Sequence, residues 1–91
     1  MEVLMNTRVE KIEDYIERID NCNELNAAEK LVEEIVSVFS NYIPNLKDGL
    51  DKYNEKYALE FVLYGKRHFE DYLKDLGILK NKLELYKADL S

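Results

Sequence analysis

The chain has 91 residues, of which 46% are apolar and 35% charged, and its formal net charge is −6. This length suits one domain, and the apolar fraction is too high for a disordered tail. With only one Pro and three Gly, the chain favours a few long helices over a many-stranded sheet. We therefore expect residues 1–91 to form a single all-α domain, with residues 1–6 as a frayed N-terminus.

The charge is unevenly distributed along the chain. Residues 1–25 carry seven acids and three bases, whereas residues 66–91 carry five acids and six bases. Proteins that bind nucleic acid through bulk charge present a basic surface, so we do not expect direct nucleic-acid binding. The acidic first part and the slightly basic last part of the chain should attract each other only weakly, because a surface ion pair contributes about 0–1 kcal/mol.

The cysteine content and the apolar runs indicate the compartment. Cys22 is the only cysteine and cannot form an internal disulfide, which favours a reducing, cytoplasmic setting. Residues 1–6 lack the basic and apolar regions of a secretory signal. The longest mainly apolar run, Tyr57–Tyr64, has eight residues, whereas a membrane helix needs about 20. We expect a soluble protein with no membrane contact.

The first helix is predicted from Arg8 to Cys22. Thr7 and Glu10 have the spacing of a capping box. Apolar residues then recur at helical spacing: Val9, Ile12, Ile16 and Ile19. The opposite face is acidic and consists of Glu10, Asp14, Glu17 and Asp20. The asparagines on either side of Cys22 favour a turn that ends the helix.

A second helix is predicted from Asn26 to Ile43. Asn26 and Glu29 repeat the capping-box spacing, and an apolar face follows: Ala28, Leu31, Val32, Ile35, Phe39 and Tyr42. The run Val36–Ser40 contains β-branched residues that also fit a strand, but the helical spacing continues through it and no partner strand is visible. Pro44 ends the helix because it disfavours helical geometry in the preceding residue.

The segment after the proline is predicted to be helical from Leu46 to Tyr64, and irregular in its first part. Its apolar residues keep the helical spacing: Leu46, Leu50, Tyr53 and Tyr57. Gly49 opposes this prediction, since Gly costs about 1 kcal/mol relative to Ala in a helix interior. Asp48 and Gly49 fit a turn equally well.

The longest periodic pattern lies in the last third of the chain. Ten residues at alternating spacings of four and three define what we call the seam: Ala58, Val62, Gly65, Phe69, Tyr72, Leu76, Leu79, Leu83, Tyr86 and Leu90. This spacing places them on one face of a long helix. Gly65 either ends a helix or permits close helix packing, and in the first case the last helix runs from Lys66 to Ala88. Short connections favour an antiparallel up-and-down bundle of three to four helices with a long C-terminal helix.

The length of the seam predicts contact with another protein molecule. An unbroken helix from Ala58 to Leu90 would span about 48 Å, which is about twice the length of the first helix, so apolar surface would stay uncovered. We therefore expect a protein–protein interaction module that self-associates as a homo-oligomer. The candidate anchors are aromatic, as is common in interfaces: Tyr57, Phe61, Tyr64, Phe69, Tyr72 and Tyr86.

An alternative function rests on the acidic face of the first helix. Its carboxylates, on Glu10, Asp14, Glu17 and Asp20, would replace nucleic-acid phosphates in a small phage or bacterial inhibitor or antitoxin-like protein. Such a protein would block a nucleic-acid-binding partner. A metal site is not expected on this face, because the chain lacks the Glu-x-x-His pairs of di-iron bundles and the loop of an EF-hand.

No enzymatic chemistry is predicted. Nucleophilic catalysis needs a base beside the nucleophile, and the single histidine, His68, would meet Cys22 only by chance of folding. The chain has no Gly-rich phosphate loop, and the basic cluster Lys66–His68 is small for an acidic protein. We expect no catalytic residues, no cofactor and no bound metal.

Overall fold

Three helices pack together in the part of the chain that the structure describes. The structure is a computed structural model, which describes the backbone of residues 2–50 and 69–90 and the side chains of residues 7–50 and 69–90. Helix α1 spans Glu2–Asp20, α2 spans Leu25–Phe39 and α3 spans Phe69–Leu90. No strand occurs within these ranges, so the predicted all-α class is confirmed.

Helix α1 runs antiparallel to both other helices. Arg8, in the first half of α1, lies over the ring of Tyr42, which follows the end of α2. The same arginine donates a hydrogen bond to the Tyr86 hydroxyl near the end of α3. At the opposite end of α1, Asp20 pairs with Lys80 at 2.6 Å. The start of α1 therefore lies beside the ends of α2 and α3.

The core forms where the apolar faces of the three helices meet. Helix α3 contributes the middle of the seam, which is buried: Tyr72, Leu76, Leu79 and Leu83. Helices α1 and α2 face it with buried residues of their own: Ile12, Tyr15, Ile19, Ala28, Leu31, Val32, Ile35, Val36 and Phe39. The first three seam residues lie outside the described residues. Within the described residues, these four seam residues are therefore covered within one chain, whereas Phe69, Tyr86 and Leu90 are half-buried.

Helix α1 begins earlier than predicted. It starts at Glu2 and includes residues 2–6, which the sequence analysis placed before the helix. Thr7 consequently lies inside the helix, and its prediction as a capping residue was wrong. The three-residue spacing of a capping box also occurs between two neighbours on a helix face, and that is the arrangement here. The helix ends at Asp20, slightly before the predicted end, and a turn begins at Asn21.

Helix α2 is shorter than predicted. It ends at Phe39, before the predicted end at Ile43, and its N-terminal cap is Glu24 rather than Asn26. The capping-box spacing at Asn26 therefore did not identify the start of α2. Glu24 itself makes no side-chain capping hydrogen bond. The helical interpretation of the β-branched run is confirmed up to Phe39, because Val36 is helical and buried in the core.

The segment after α2 forms turns where the sequence predicted the start of a helix. Residues 40–49 are turns and a bend, so the helix predicted from Leu46 was wrong in its first part. Asn45 and Gly49 adopt φ angles of 60° and 87°, which a right-handed helix does not allow and which Asn and Gly tolerate best. The competing prediction of a turn at Asp48 and Gly49 is confirmed. The remainder of the predicted helix, residues 51–64, lies outside the described residues.

Lys82 of α3 holds this turn against the helix. Its Nζ donates hydrogen bonds to the carbonyl oxygens of Asn45, Leu46 and Asp48, at 2.6, 3.1 and 2.8 Å. An ammonium group has three N–H donors, so these bonds use all of them. The contact fixes the turn where Leu46 and Leu50 are buried in the core. Lys82 therefore connects the backbone of the turn after α2 to helix α3.

Substitution of Lys82 by Met should loosen the turn. Lys82→Met keeps the length of the side chain and removes all three hydrogen bonds, so we expect the free energy of unfolding in urea to fall by about 1–2 kcal/mol. Amide hydrogen exchange should accelerate at Asp48 and Leu50, whose N–H groups bond within the turn. Lys74→Met, at an exposed position of α3, is the control and should change stability by less than about 0.5 kcal/mol. Equal effects of the two substitutions would contradict this role of Lys82.

Candidate interaction surface

The predicted aromatic anchors lie in different environments. Tyr72 is only 2% exposed and belongs to the core. Phe69 and Tyr86 are half-buried and pack against that core. Three further anchors lie outside the described residues: Tyr57, Phe61 and Tyr64. The described anchors are thus spread along α3, from its first residue, Phe69, to Tyr86 near its end, and they pack against the core to different extents.

The acidic residues of α1 lie on its solvent side. All four of the predicted set are exposed: Glu10, Asp14, Glu17 and Asp20. Asp14 lies 3.9 Å from Arg18 of the same helix, and Asp20 lies 2.6 Å from Lys80. The hydrogen bond from Lys80 to Asp20 raises the pKa of the lysine. Two of the four carboxylates are therefore paired within the chain.

A polar network joins α1 to α2 at the edge of the core. The Tyr15 hydroxyl donates a hydrogen bond to Glu34 Oε1 at 2.9 Å. Arg18 donates to both oxygens of the same carboxylate, at 3.3 and 3.2 Å. Because Tyr15 is buried and also packs edge-to-face on Phe39, the network connects the solvent-exposed ion pair to the core.

The pKa values of Tyr15, Glu34 and Arg18 are all shifted in this network, and the hydrogen bond to Glu34 raises that of Arg18. Burial, and then the hydrogen bond to Glu34, raise the pKa of Tyr15 from 10.0 to about 12. The hydrogen bonds from Arg18 and Tyr15 lower the pKa of Glu34. Each shift favours the protonation state that makes the hydrogen bonds. We therefore assign the network to stability, as a connection between two helices.

Cys22 follows α1 and is half-buried, with its thiol free. Its Sγ lies 3.8 Å from the carbonyl oxygen of Glu24, and it lines a cavity together with Arg18 and Lys30. His68 lies outside the described residues, so the pairing weighed for these two residues stays untested.

One end of the bundle exposes aromatic and apolar side chains. There Arg8 connects the three helices: its Nη1 lies 3.3 Å from the Tyr86 hydroxyl, and its guanidinium carbon lies 4.3 Å from the centroid of the Tyr42 ring. Tyr42 is 45% exposed and Leu85 is 62% exposed. We call the surface formed by Arg8, Tyr42, Leu85 and Tyr86 the tyrosine end.

A groove of about 340 Å³ opens at the tyrosine end between the turn after α2 and the last turns of α3. Its apolar or aromatic lining residues are Ile43, Pro44, Leu85 and Tyr86. Its polar and charged lining residues are Asn45, Asp48, Lys82 and Asp89. Protein–protein interfaces also combine apolar and polar side chains.

A second, smaller cavity of about 240 Å³ adjoins this groove. Its lining comes from the first half of α1 and from the end of α2: Thr7, Arg8, Lys11, Val38, Phe39 and Tyr42. The two cavities are neighbours, because Arg8 of the smaller one contacts Tyr86 of the larger one. The tyrosine end therefore presents two adjoining concave sites with different charge.

The sequence predicted Tyr86 of this surface as an anchor, but it did not predict Arg8, Tyr42 or Leu85 as contact residues. Leu85 lies between the seam residues Leu83 and Tyr86. An additional apolar residue beside an apolar helix face could have indicated an exposed apolar patch. Asp75, which is fully buried beside Leu76, was also missed. Helical spacing alone cannot identify a buried carboxylate, because the seam predicts apolar residues at its own positions only.

Comparison of the chain with protein-family models, with curated proteins and with solved structures yields no match. Within residues 2–50 and 69–90, no helix combines the length and apolar character needed to cross a membrane. The same ranges contain no group of three or more His, Cys, Asp and Glu residues arranged to hold a metal ion. Functional inference therefore rests on the chemistry of the described surface.

The Tyr15 hydroxyl should make the fold sensitive to alkali. Folding raises its pKa from 10.0 to about 12, so its contribution is complete below pH 10 and is lost as the pH rises through 12. Between about pH 9 and pH 12, the free energy of unfolding of the wild type should fall by up to about 2–3 kcal/mol more than that of Tyr15→Phe.

Urea unfolding at a series of pH values measures this difference, with Tyr42→Phe as a control at an exposed tyrosine. Parallel pH curves for the wild type and Tyr15→Phe would show that folding does not raise the pKa of Tyr15, and would contradict this prediction.

Proposed function

We propose that this protein is a small helical module that binds another protein in a cytoplasmic setting, and that one such partner is a second copy of itself. The observation that supports this function best is Leu85, which is 62% exposed beside the groove of the tyrosine end. Covering an exposed leucine together with an apolar groove removes apolar area from water, which is the main favourable term in association.

The proposed surface shares only Tyr86 with the described part of the seam. The buried seam residues Tyr72, Leu76, Leu79 and Leu83 pack in the core of their own chain, so association through them would require the bundle to open. The aromatic residues Tyr57, Phe61 and Tyr64 remain predicted anchors. A fourth helix, which would complete an up-and-down bundle, also remains a prediction.

Leu85 alone cannot supply the binding energy. Full burial of a leucine side chain contributes about 1.5–3 kcal/mol, whereas micromolar binding needs about 8 kcal/mol. Neighbouring groups must therefore contribute, and the groove offers Pro44 and Tyr86 beside Leu85. A small cluster of aromatic and aliphatic anchors is the usual way in which an interface concentrates its binding energy.

Leu85→Glu should weaken self-association without disturbing the core. We expect a loss of about tenfold or more in the association constant, equivalent to about 1.4 kcal/mol, because the carboxylate would be buried in the interface. Light scattering coupled to size-exclusion chromatography over a range of concentrations measures the change. Leu73→Glu makes the same substitution on α3 at a side chain that is 39% exposed and does not line the groove, and should leave the mass unchanged.

A wild-type mass that stays monomeric at every concentration would contradict self-association. Affinity capture from the native cell then tests for a different partner, and a partner that binds the wild type and Leu85→Glu equally would contradict this surface.

A second candidate function is favoured by the exposure of the acidic face of α1. Glu10, Asp14 and Glu17 are all exposed and lie along one side of the helix. A row of carboxylates can take the place of phosphates in the basic site of a nucleic-acid-binding protein. This would be the activity of a small inhibitor or antitoxin-like protein, and its partner would be basic.

Charge reversal of the three exposed acids distinguishes the two functions. The triple substitution of Glu10, Asp14 and Glu17 by Lys should abolish capture of a basic partner, whereas Leu85→Glu should not affect it. Glu84→Lys, at an exposed acid of α3, controls for charge reversal in general. Circular dichroism checks that the variants fold, and continued binding of the partner to the triple variant would contradict the inhibitor function.

A further inference from the structure

We propose that the 240 Å³ cavity beside Arg8 is an anchor pocket for a segment of a partner protein in which a carboxylate lies next to an apolar side chain. This inference rests on the proposed function as a protein-binding module, and it adds the chemistry by which the partner would be recognised.

The pocket concentrates positive charge on an acidic protein. Arg8 and Lys11 lie three residues apart on α1, which places them on one side of the helix, and both line the cavity. None of the described residues that line it is acidic, although the chain has a net charge of −6. The larger groove differs in this respect, since Asp48 and Asp89 are among its lining residues. The smaller pocket therefore favours an anion.

Arg8 is held in position before any ligand binds. Its guanidinium stacks on Tyr42 and donates one hydrogen bond to Tyr86. A guanidinium has five N–H donors, so other donors remain for an acceptor on a ligand. Arginine is also suited to carboxylates because its planar group matches their geometry. A side chain that is already fixed loses less conformational freedom on binding, which favours affinity.

The floor of the pocket is apolar. Phe39 is buried and Val38 is half-buried, and the ring of Tyr42 forms an exposed wall. A lone inorganic anion would contact the two cations only and would leave this floor in contact with water. A ligand with an apolar group beside its carboxylate would use both parts of the pocket.

The size of the cavity favours side chains over a whole small molecule. Sites for cofactors and drug-sized ligands measure roughly 300–1,000 Å³, whereas this cavity measures about 240 Å³. One or two side chains fill a space of this size. The adjoining apolar groove would take the next part of the same partner segment, because Arg8 contacts Tyr86 at the boundary between the two sites.

Titration with model peptides, followed by amide chemical shifts in NMR spectra, tests the proposal. The probe is a blocked hexapeptide of alternating glutamate and leucine, and its comparison peptide has glutamine in place of glutamate. We expect the acidic peptide to shift the amides of Lys11, Val38 and Tyr42, and to bind at least about threefold more tightly than the glutamine peptide, the order expected of one exposed ion pair.

Matched lysine variants assign the binding to this pocket. Lys11→Gln should weaken binding of the acidic peptide by about threefold, because it removes one exposed ion pair. Lys30→Gln removes the same charge from an exposed position on α2 and should not change the affinity. Higher salt should weaken binding of the acidic peptide to the wild type.

Three results would overturn the proposal. The first is equal binding of the acidic and glutamine peptides, or no binding of either. The second is equal affinity of Lys11→Gln and the wild type for the acidic peptide. The third is that sodium acetate at the same concentration reproduces the shifts, which would make the pocket a site for small anions only.

The mass of the wild type, measured by light scattering on the same samples, separates failure of the pocket from failure of the protein-binding function. Self-association that Leu85→Glu weakens, without peptide binding, would overturn the pocket and leave the function. Specific peptide binding without self-association and without a captured partner would support the chemistry of the pocket and contradict the function.

Discussion

Burial of the α3 seam between α1 and α2 is the interaction on which the rest of the structure depends. Each fully buried leucine contributes about 1.5–3 kcal/mol, and α3 places Leu76, Leu79 and Leu83 in the core. The surface ion pairs between α1 and α3, such as Lys80 with Asp20, are exposed and contribute far less. Apolar packing therefore holds the helices together, and the ion pairs favour one arrangement of the packed helices.

This packing determines which surface is left for a partner. Because the described part of the seam is used within the chain, its aromatic residues are not available as a continuous interface. The ends of α2 and α3 and the first half of α1 meet instead at the tyrosine end, where Arg8 holds Tyr42 and Tyr86 in place. Leu85 and the two cavities lie on this surface, and the apolar and basic lining of the smaller cavity is the basis of the proposed acidic, partly apolar partner segment.

The sequence predicted those features of the fold that follow directly from the spacing of apolar residues. Apolar spacing identified the helical class and the core-facing residues of α3, since a face of a helix can be read from one segment alone. The turn at Asn45 is also held by a distant residue, Lys82, and local signals therefore left a helix and a turn as open alternatives there. The candidate site was not predictable for the same reason, because its cavities exist only once Arg8, Tyr42 and Leu85 are brought together by three helices.

The most direct test of this account is the dependence of stability on protein concentration in Leu85→Glu, in which association through the tyrosine end is weakened. If the seam is covered within one chain, the free energy of unfolding in urea will not change over about a hundredfold dilution, because folding is then unimolecular. A stability that falls with dilution in this variant would show that folding is coupled to association with a second subunit, and would contradict the account.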